Sequence, residues 1–514
     1  MSGKKLKNKQ HLFDAPPLFY GLFKRQLMKI NTNYYPYFFF FLYAFLLVLG
    51  LTQHEFWMDE SHHWLIARDS SSLLELFENY KYDGHPMLWV FCLWGLSFFS
   101  TNVIFVQLFH AIIACSTVAL ILFKAPFRQR YRVFFVFGYY PLFEYGILSR
   151  NYALTFFFLL LFCVFYEKSR GLFIPFILLG LAANSHLFGL IFSVLLVLKI
   201  VYQQRRNLKK HLVAVGCFVF MVLFAFVSIK APSDHFFYFD LARCFNFRSI
   251  GNVLSIWWKA ICPIPDLLSP NFWNTNFFTI NYRKLAIGFV LLSWGIPLLV
   301  LKRKSSYYIL FYGYAILLMV FCLLTRLNIS QRIGGFLLFA LVVLAWLEKK
   351  DYKEDLAIIT IHKTAKSLGL YLFLSIQIFS AGVLLITDIK RPFSNTKAIY
   401  KFLAANVDEK TAIYAGLYCN YIGIHNYGDL KAYISSQGRL KYCDWRTLNT
   451  NQGKAFWDEA INLIHLDQYE RIIVLRTEAM ADVAFSDYSI ELLKQFEGGM
   501  VKNENAYIYV IQKK

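Results

Sequence analysis

Charge is scarce in this chain. Asp, Glu, Lys and Arg make up 17% of the 514 residues, and the 32 acids are outnumbered by 53 Lys and Arg. A chain that is 57% apolar and 19% aromatic, with a mean hydropathy of +0.44, is neither disordered nor a string of water-soluble domains. No glycine-rich phosphate loop occurs, so nucleotide binding through such a loop has no support. The zinc-protease helix signature and paired CxxC spacings are also missing, and no internal repeat of the kind built into many transporters is visible.

What is present is a series of apolar runs of about 20 residues, long enough to cross a bilayer. The expected spans are 34–53, 85–101, 102–123, 153–167, 171–188, 189–202, 211–230, 284–301, 307–325, 333–348 and 367–387. Basic residues sit at their ends, as in Lys24-Arg25, Arg205-Arg206, Lys209-Lys210, Lys302-Arg303-Lys304 and Lys349-Lys350. The positive-inside bias makes these ends cytoplasmic together with the basic N-terminus, 1–33, and puts 54–84, 231–283, 326–332 and everything after Thr387 outside. The formal charge of +21 therefore belongs to membrane topology; no separate basic domain with stacking aromatics suggests a nucleic-acid partner. Residues 132–148 are apolar enough to span, but a further crossing would invert every later loop. Gly138 and Pro141 interrupt that segment, which reads as a re-entrant or broken helix near the outer face.

The fold class expected is a mainly α, polytopic transmembrane bundle, 34–387, followed by a small α/β domain, 388–514. Strand-like runs are Ala412–Ala415, Ile472–Leu475 and Ala506–Ile511; helix-like runs are Asn395–Ala405 with Ser394 as N-cap, Ala455–Leu466 and Ile490–Phe496. Four cysteines, Cys244, Cys262, Cys419 and Cys443, fall on the outer side. They either form two bridges, most simply Cys244–Cys262 and Cys419–Cys443, or remain free thiols.

Chemistry concentrates in the first outer loop, Trp57–Pro86. Asp59, Glu60, His62, His63, Asp69, Asp83 and His85 crowd it where the first span ends, and ionisable groups at a membrane boundary mark functional sites. On a helix, Asp59, His62 and His63 share one face. Ser72-x-x-Glu75 is a capping box that opens a short amphipathic helix lying in the interface. Tyr82-Asp83-Gly84-His85-Pro86 turns the chain back towards the membrane. Asp59, Glu60, His63 and His85 offer the oxygen and nitrogen ligands of a divalent metal, while solvated loop residues are the plain alternative. A second polar group, Glu144–Tyr152, contains Arg150, whose planar guanidinium suits either Glu144 or a phosphate. Arg326 and Arg332 are further candidates for an anion, and His186 sits at an outer helix end.

These residues resemble the GT-C glycosyltransferases, in particular the branch of protein O-mannosyltransferases and of the enzyme that adds aminoarabinose to lipid A. The motifs that carry the resemblance are Asp59-Glu60 after the first span, Asp83-Gly84-His85-Pro86, the run Ser149–Leu154, Ser185-His186, Arg332 and Pro392–Ala398. The chain departs from that pattern at His62-His63, and at Arg150, where the aminoarabinose branch often carries an acid. The resemblance implies an inverting transfer at the outer face of a bacterial inner membrane, from a sugar on polyprenyl phosphate, usually undecaprenyl phosphate, to an acceptor hydroxyl of a glycan, glycolipid or protein. The residues suit that chemistry in their own right, with Asp59 as base, Glu60 orienting the acceptor or holding a metal, and Arg150, Arg332 and Arg326 at the donor phosphate. His62, His63, Tyr82, Asp83, His85, Glu144, Tyr152 and His186 then line the substrate. The competing functions are a transporter or flippase of lipid-linked glycans and an O-antigen polymerase or ligase. A transporter would place ionisable groups near mid-span, where His110 stands almost alone.

Overall fold

The computed structural model describes residues 34–169, 171–230, 232–233, 246–301, 305–325, 331–351, 360–415, 418–430, 433–435, 460–462, 469–479 and 487–514. The N-terminal segment 1–33, Arg326, Cys244, Cys443 and most of the expected helix Ala455–Leu466 lie outside this set. The elements run in chain order as α1 (Tyr35–Gln53), α2 (Met58–Asp69), α3 (Leu73–Tyr80), α4 (Leu88–Ser97), α5 (Ile104–Lys124), α6 (Gln129–Val136) and a π-helix (Tyr139–Glu144). Next come α7 (Tyr152–Lys168), α8 (Phe173–Ser185), α9 (Leu187–Gln203), α10 (Leu212–Ile229), α11 (Phe247–Ile261), α12 (Phe277–Asn281), α13 (Arg283–Ser293) and α14 (Ile296–Val300). The bundle closes with α15 (Ser305–Thr325), α16 (Gln331–Asp351) and the 31-residue α17 (Thr360–Lys390).

Among the described residues six helical segments are long and apolar enough to cross a membrane: Tyr35–Gln53, Ile104–Lys124, Arg205–Ile229, Arg283–Val300, Ser306–Thr325 and Leu368–Lys390. Shorter apolar helices are Leu88–Ser97, Phe173–Ser185 and Leu187–Gln203. The bundle has two chemically distinct ends. At one, Lys349 bonds the Pro126 carbonyl and the Lys350 ammonium donates to the Tyr166 carbonyl at 2.5 Å, so the last turns of α5, α7 and α16 meet. At the other, Gln107 of α5 donates to the carbonyls of Leu51 and His54, and Asn151 donates to that of Ser185. Titratable residues of the first loop gather at this second end.

Two segments exchange roles relative to the sequence reading. The expected span 85–101 contains only the ten-residue α4, about 15 Å of helix. It packs along α2 through Trp89, Val90 and Leu93, and Trp94 donates to the Ser70 carbonyl, so it stays at the site end. The segment expected to re-enter, 132–148, instead runs the length of the bundle. Arg132 bonds the carbonyls of Leu122 and Phe127 at the basic end. Tyr43, midway along α1, donates to Pro141 at 2.7 Å, and the Ser149 amide reaches Glu60 at the site end. Pro141 lacks an N–H, and the chain accommodates it as a buried π-helix between Gly138 and Glu144. One passage between the two ends of the bundle is lost and one gained, so every later segment keeps its expected end.

The C-terminal domain is α18 (Thr396–Asn406) and a five-stranded sheet of β1 (Thr411–Ala415), β2 (Tyr433–Ser435), β3 (Arg471–Arg476), β4 (Tyr488–Phe496) and β5 (Ala506–Lys513), in the order β2-β1-β3-β5-β4. β1 pairs parallel with β2 and β3, while β5 runs antiparallel to β3 and β4. The run Ile490–Phe496, expected as helix, is strand β4 at the sheet edge, with an irregularity at Leu492/Lys494. Asn395, rather than Ser394, precedes α18, although the Ser394 hydroxyl accepts the Thr396 amide. Cys262 and Cys419 are free thiols.

Candidate active site

The site starts with the way α2 is held. His54, just past α1, is buried between two carboxylates: its Nε2 is 2.9 Å from Glu60 and its Nδ1 is 2.8 Å from Asp388 at the end of α17. An ionised carboxylate only accepts, so both ring nitrogens donate and His54 is an imidazolium. Burial opposes that charge, but Glu60 and Asp388 outweigh it and raise the His54 pKa to about 10. Glu60 uses both of its oxygens. Its Oε1 accepts the Ser149 amide at 2.5 Å, and its Oε2 accepts the Trp57 amide and His54. This ties the start of α2 to the loop carrying Arg150.

Asp59, one residue earlier, faces two guanidiniums. Arg332 Nη1 donates to its Oδ2 at 2.7 Å, and Arg150 Nη2 lies 3.5 Å from the same oxygen. Arg150 Nη1 also donates to the Asp59 backbone carbonyl at 2.5 Å. Burial pushes the Asp59 carboxyl up, but Arg150 and Arg332 more than reverse that and hold it below the usual range. Arg332 lies over the Trp57 ring, 5.1 Å from its centre, and Arg150 over that of Tyr152, at 5.4 Å. Both cations are thus oriented by an aromatic face and a carboxylate.

Asp83 is the hub of a second cluster. His62 Nε2 and His63 Nε2 lie 3.2 and 3.1 Å from its Oδ1, and His85 Nδ1 lies 2.8 Å from its Oδ2. Burial raises the Asp83 carboxyl, and His63 and His85 together pull it well below its normal range. Burial lowers the His63 pKa to about 4, against the pull of Asp83, so its ring is neutral at pH 7. The donor atoms of His63, Asp83 and His85 lie within 4.8 Å of one another, close enough to share one metal ion. The turn that delivers them uses Gly84 at φ 74°, a left-handed conformation that glycine adopts without steric penalty.

The remaining candidates divide into those beside this cluster and those held elsewhere. His186 packs on Phe336, His85 and Tyr152, with ring centres 4.4, 5.1 and 5.3 Å away, and its Nδ1 caps α9 by accepting the Phe188 amide. Tyr152 is brought in by Arg150 and His186. Tyr82 lies beside Asp83 with the Lys81 ammonium 5.5 Å from its ring centre. Glu144 is buried behind the site, where its Oε2 accepts Tyr139 Oη at 2.6 Å and Trp273 Nε1 at 3.2 Å. It does not pair with Arg150, for which the sequence left Glu144 and a phosphate as alternative partners. Sequence reasoning missed His54, Asp388 and Trp57: one His next to a span, one Asp at the end of another and one Trp among eleven carry no local pattern.

No family model matches the chain, and no curated protein matches it. Among solved structures it is similar to the crystal structure of ArnT from Cupriavidus metallidurans bound to undecaprenyl phosphate, at 12% sequence identity and a TM-score of 0.48, over 92% of this chain and 97% of that one.

Proposed function

We propose that the chain is an integral-membrane glycosyltransferase that moves a sugar from polyprenyl phosphate to an acceptor hydroxyl at the outer membrane face. The observation that carries this reading is Asp59 clasped by Arg150 and Arg332 at the site end of the apolar bundle. A carboxylate to accept a proton and two guanidiniums to accept a phosphate stand within one hydrogen bond of each other. A donor phosphate competes for the two arginines, whose planar forks match its oxygens. Binding it releases Asp59 from the charges that hold its pKa down, and so makes it a better base. The acceptor oxygen then attacks the anomeric carbon, and its proton passes to Asp59. The bond from that carbon to the phosphate oxygen breaks, and the charge collected on polyprenyl phosphate is stabilised by Arg150 and Arg332. Attack opposite the leaving group inverts the configuration.

Glu60, whose two oxygens are tied to Ser149, Trp57 and His54, holds the base in register with the Arg150 loop. His63, Asp83 and His85 suit a divalent ion, since two imidazoles and a carboxylate are an ordinary mixed donor set. There it would supply Lewis-acid charge near the departing phosphate. His62, Tyr82, Tyr152 and His186 complete the polar lining around the sugar.

The test is reconstitution in liposomes with polyprenyl-phosphate sugars and candidate acceptors, with and without a chelator. Release of polyprenyl phosphate coupled to acceptor glycosylation is the expected result. Passage of the intact lipid-linked sugar across the bilayer without cleavage would instead establish the flippase reading. Loss of transfer on chelation, restored by a divalent ion, would assign the metal.

A further inference from the structure

Helix α2 presents different stripes to different bodies. Met58, Ser61, Leu65 and Arg68 recur at the spacing of one helical face, and each of them meets the C-terminal domain. The Met58 amide donates to Glu504 Oε1 at 2.6 Å, and Asn426 Nδ2 donates to Ser61 Oγ at 2.7 Å. Leu65 is fully buried in that domain's core with Ile399, Leu403 and Ile413, and Arg68 Nη1 donates to the His425 carbonyl at 2.9 Å. The neighbouring stripe carries Asp59, His62 and His63, which face the arginines and Asp83.

Met58 is the first residue of α2, where amides have no acceptor within the helix. Glu504, completely buried and 446 positions away in sequence, supplies one. Burial raises the Glu504 pKa to about 8, so at pH 7 the group is largely the neutral acid and acts on the Met58 amide as a hydrogen-bond acceptor rather than as a charge. The next residue is Asp59, so whatever fixes the Met58 amide fixes the peptide that carries the base.

We propose that Glu504 is a positioning residue and that the C-terminal domain is a clamp holding α2 in its productive orientation. This rests on the reading of Asp59 as base. Truncating Glu504 lets the first turn of α2 move; once donor is bound its phosphate takes the place of Asp59 in orienting Arg150 and Arg332, so turnover falls more than donor affinity does.

The experiment compares full-length wild type, Glu504→Ala and Glu504→Gln in proteoliposomes, reading amide hydrogen exchange over the first turn of α2 together with kcat and the donor KM for sugar transfer. Glu504→Ala is expected to speed that exchange about fivefold or more, the effect of leaving a buried amide without its acceptor. It lowers kcat about tenfold, with donor KM within about threefold of wild type, as misplacement of a catalytic group does. Glu504→Gln keeps a carbonyl acceptor and restores both readings. Three outcomes overturn the proposal: exchange unchanged in Glu504→Ala, exchange raised with kcat unaffected, or Glu504→Gln as damaged as Glu504→Ala. Should Glu504→Ala not fold, Asn426→Ala, which removes the Ser61 contact on the same stripe, must raise α2 exchange and lower kcat, or the clamp is wrong. Where wild type transfers no sugar, the transferase reading falls, and the exchange comparison still decides the clamp.

Discussion

At the scale of single residues the site is an arrangement of opposed charges, and its pH behaviour follows. Arg332→Ala removes one of the two cations that depress Asp59. The Asp59 pKa then rises, so the acid limb of the kcat/KM profile moves to higher pH, and donor binding weakens about tenfold or more. An unmoved limb in this variant would separate Asp59 from the rate. His54 acts in the opposite sense. Its pKa is raised from 6.5 unfolded to about 10 folded, so its stabilisation is complete below pH 6.5 and is lost as the pH climbs through 10. His54→Gln therefore lowers Tm most at pH 6, and the deficit shrinks towards pH 10; a deficit constant across that range would contradict the imidazolium. Sequence showed Asp59, His62, His63, Asp83, His85 and Arg150 because they cluster along the chain or stand beside an apolar run. It could not show that Glu60 points to His54 while Asp59 points to Arg332, since adjacent helix residues are rotated by about 100° and their partners lie far away in sequence.

At the scale of elements, the π-helix and the turn after it govern where Arg150 stands. A Cβ on Gly146 would lie 2.5 Å from the Pro141 carbonyl oxygen and nearer still to that of Leu142. Neither backbone atom can yield as a flexible side chain does. Gly146→Ala is expected to cost about 1–3 kcal/mol, as overpacking does, and to reduce transfer by displacing the Ser149–Arg150 loop. A thermal-shift and transfer measurement on this variant that matched wild type would show the turn to be tolerant. The exchange of roles between 85–101 and 132–148 explains what hydropathy misses. Both segments are apolar, and composition does not report where their ends are tied. Trp94 to Ser70 keeps one at the site end, while Arg132 to Leu122 and Ser149 to Glu60 stretch the other across. Strand β4 was misread for a related reason: at a sheet edge with most side chains exposed, Glu491-Leu492-Leu493-Lys494 has no clear period of two.

For the whole molecule, a bundle with a basic end and a site end makes a topological prediction. An impermeant thiol reagent applied to intact cells is expected to label Ser71→Cys, with Arg128→Cys and Lys209→Cys reacting only after permeabilisation. Labelling of Arg128→Cys together with Ser71→Cys would contradict the crossing by 129–148. The mainly α bundle and its small α/β domain were legible from run lengths and charge; the grip of that domain on α2 was not, because it is made by Glu504, Asn426 and Leu65 from separate parts of the chain. All of these contacts serve one claim, that Asp59 takes the acceptor's proton beside a lipid-phosphate sugar. The most direct test is single-turnover transfer by Asp59→Asn with donor bound. The account predicts a rate lowered about 10²–10⁴-fold, the usual contribution of a general base, with the lipid donor still bound. Transfer at the wild-type rate by Asp59→Asn would contradict it.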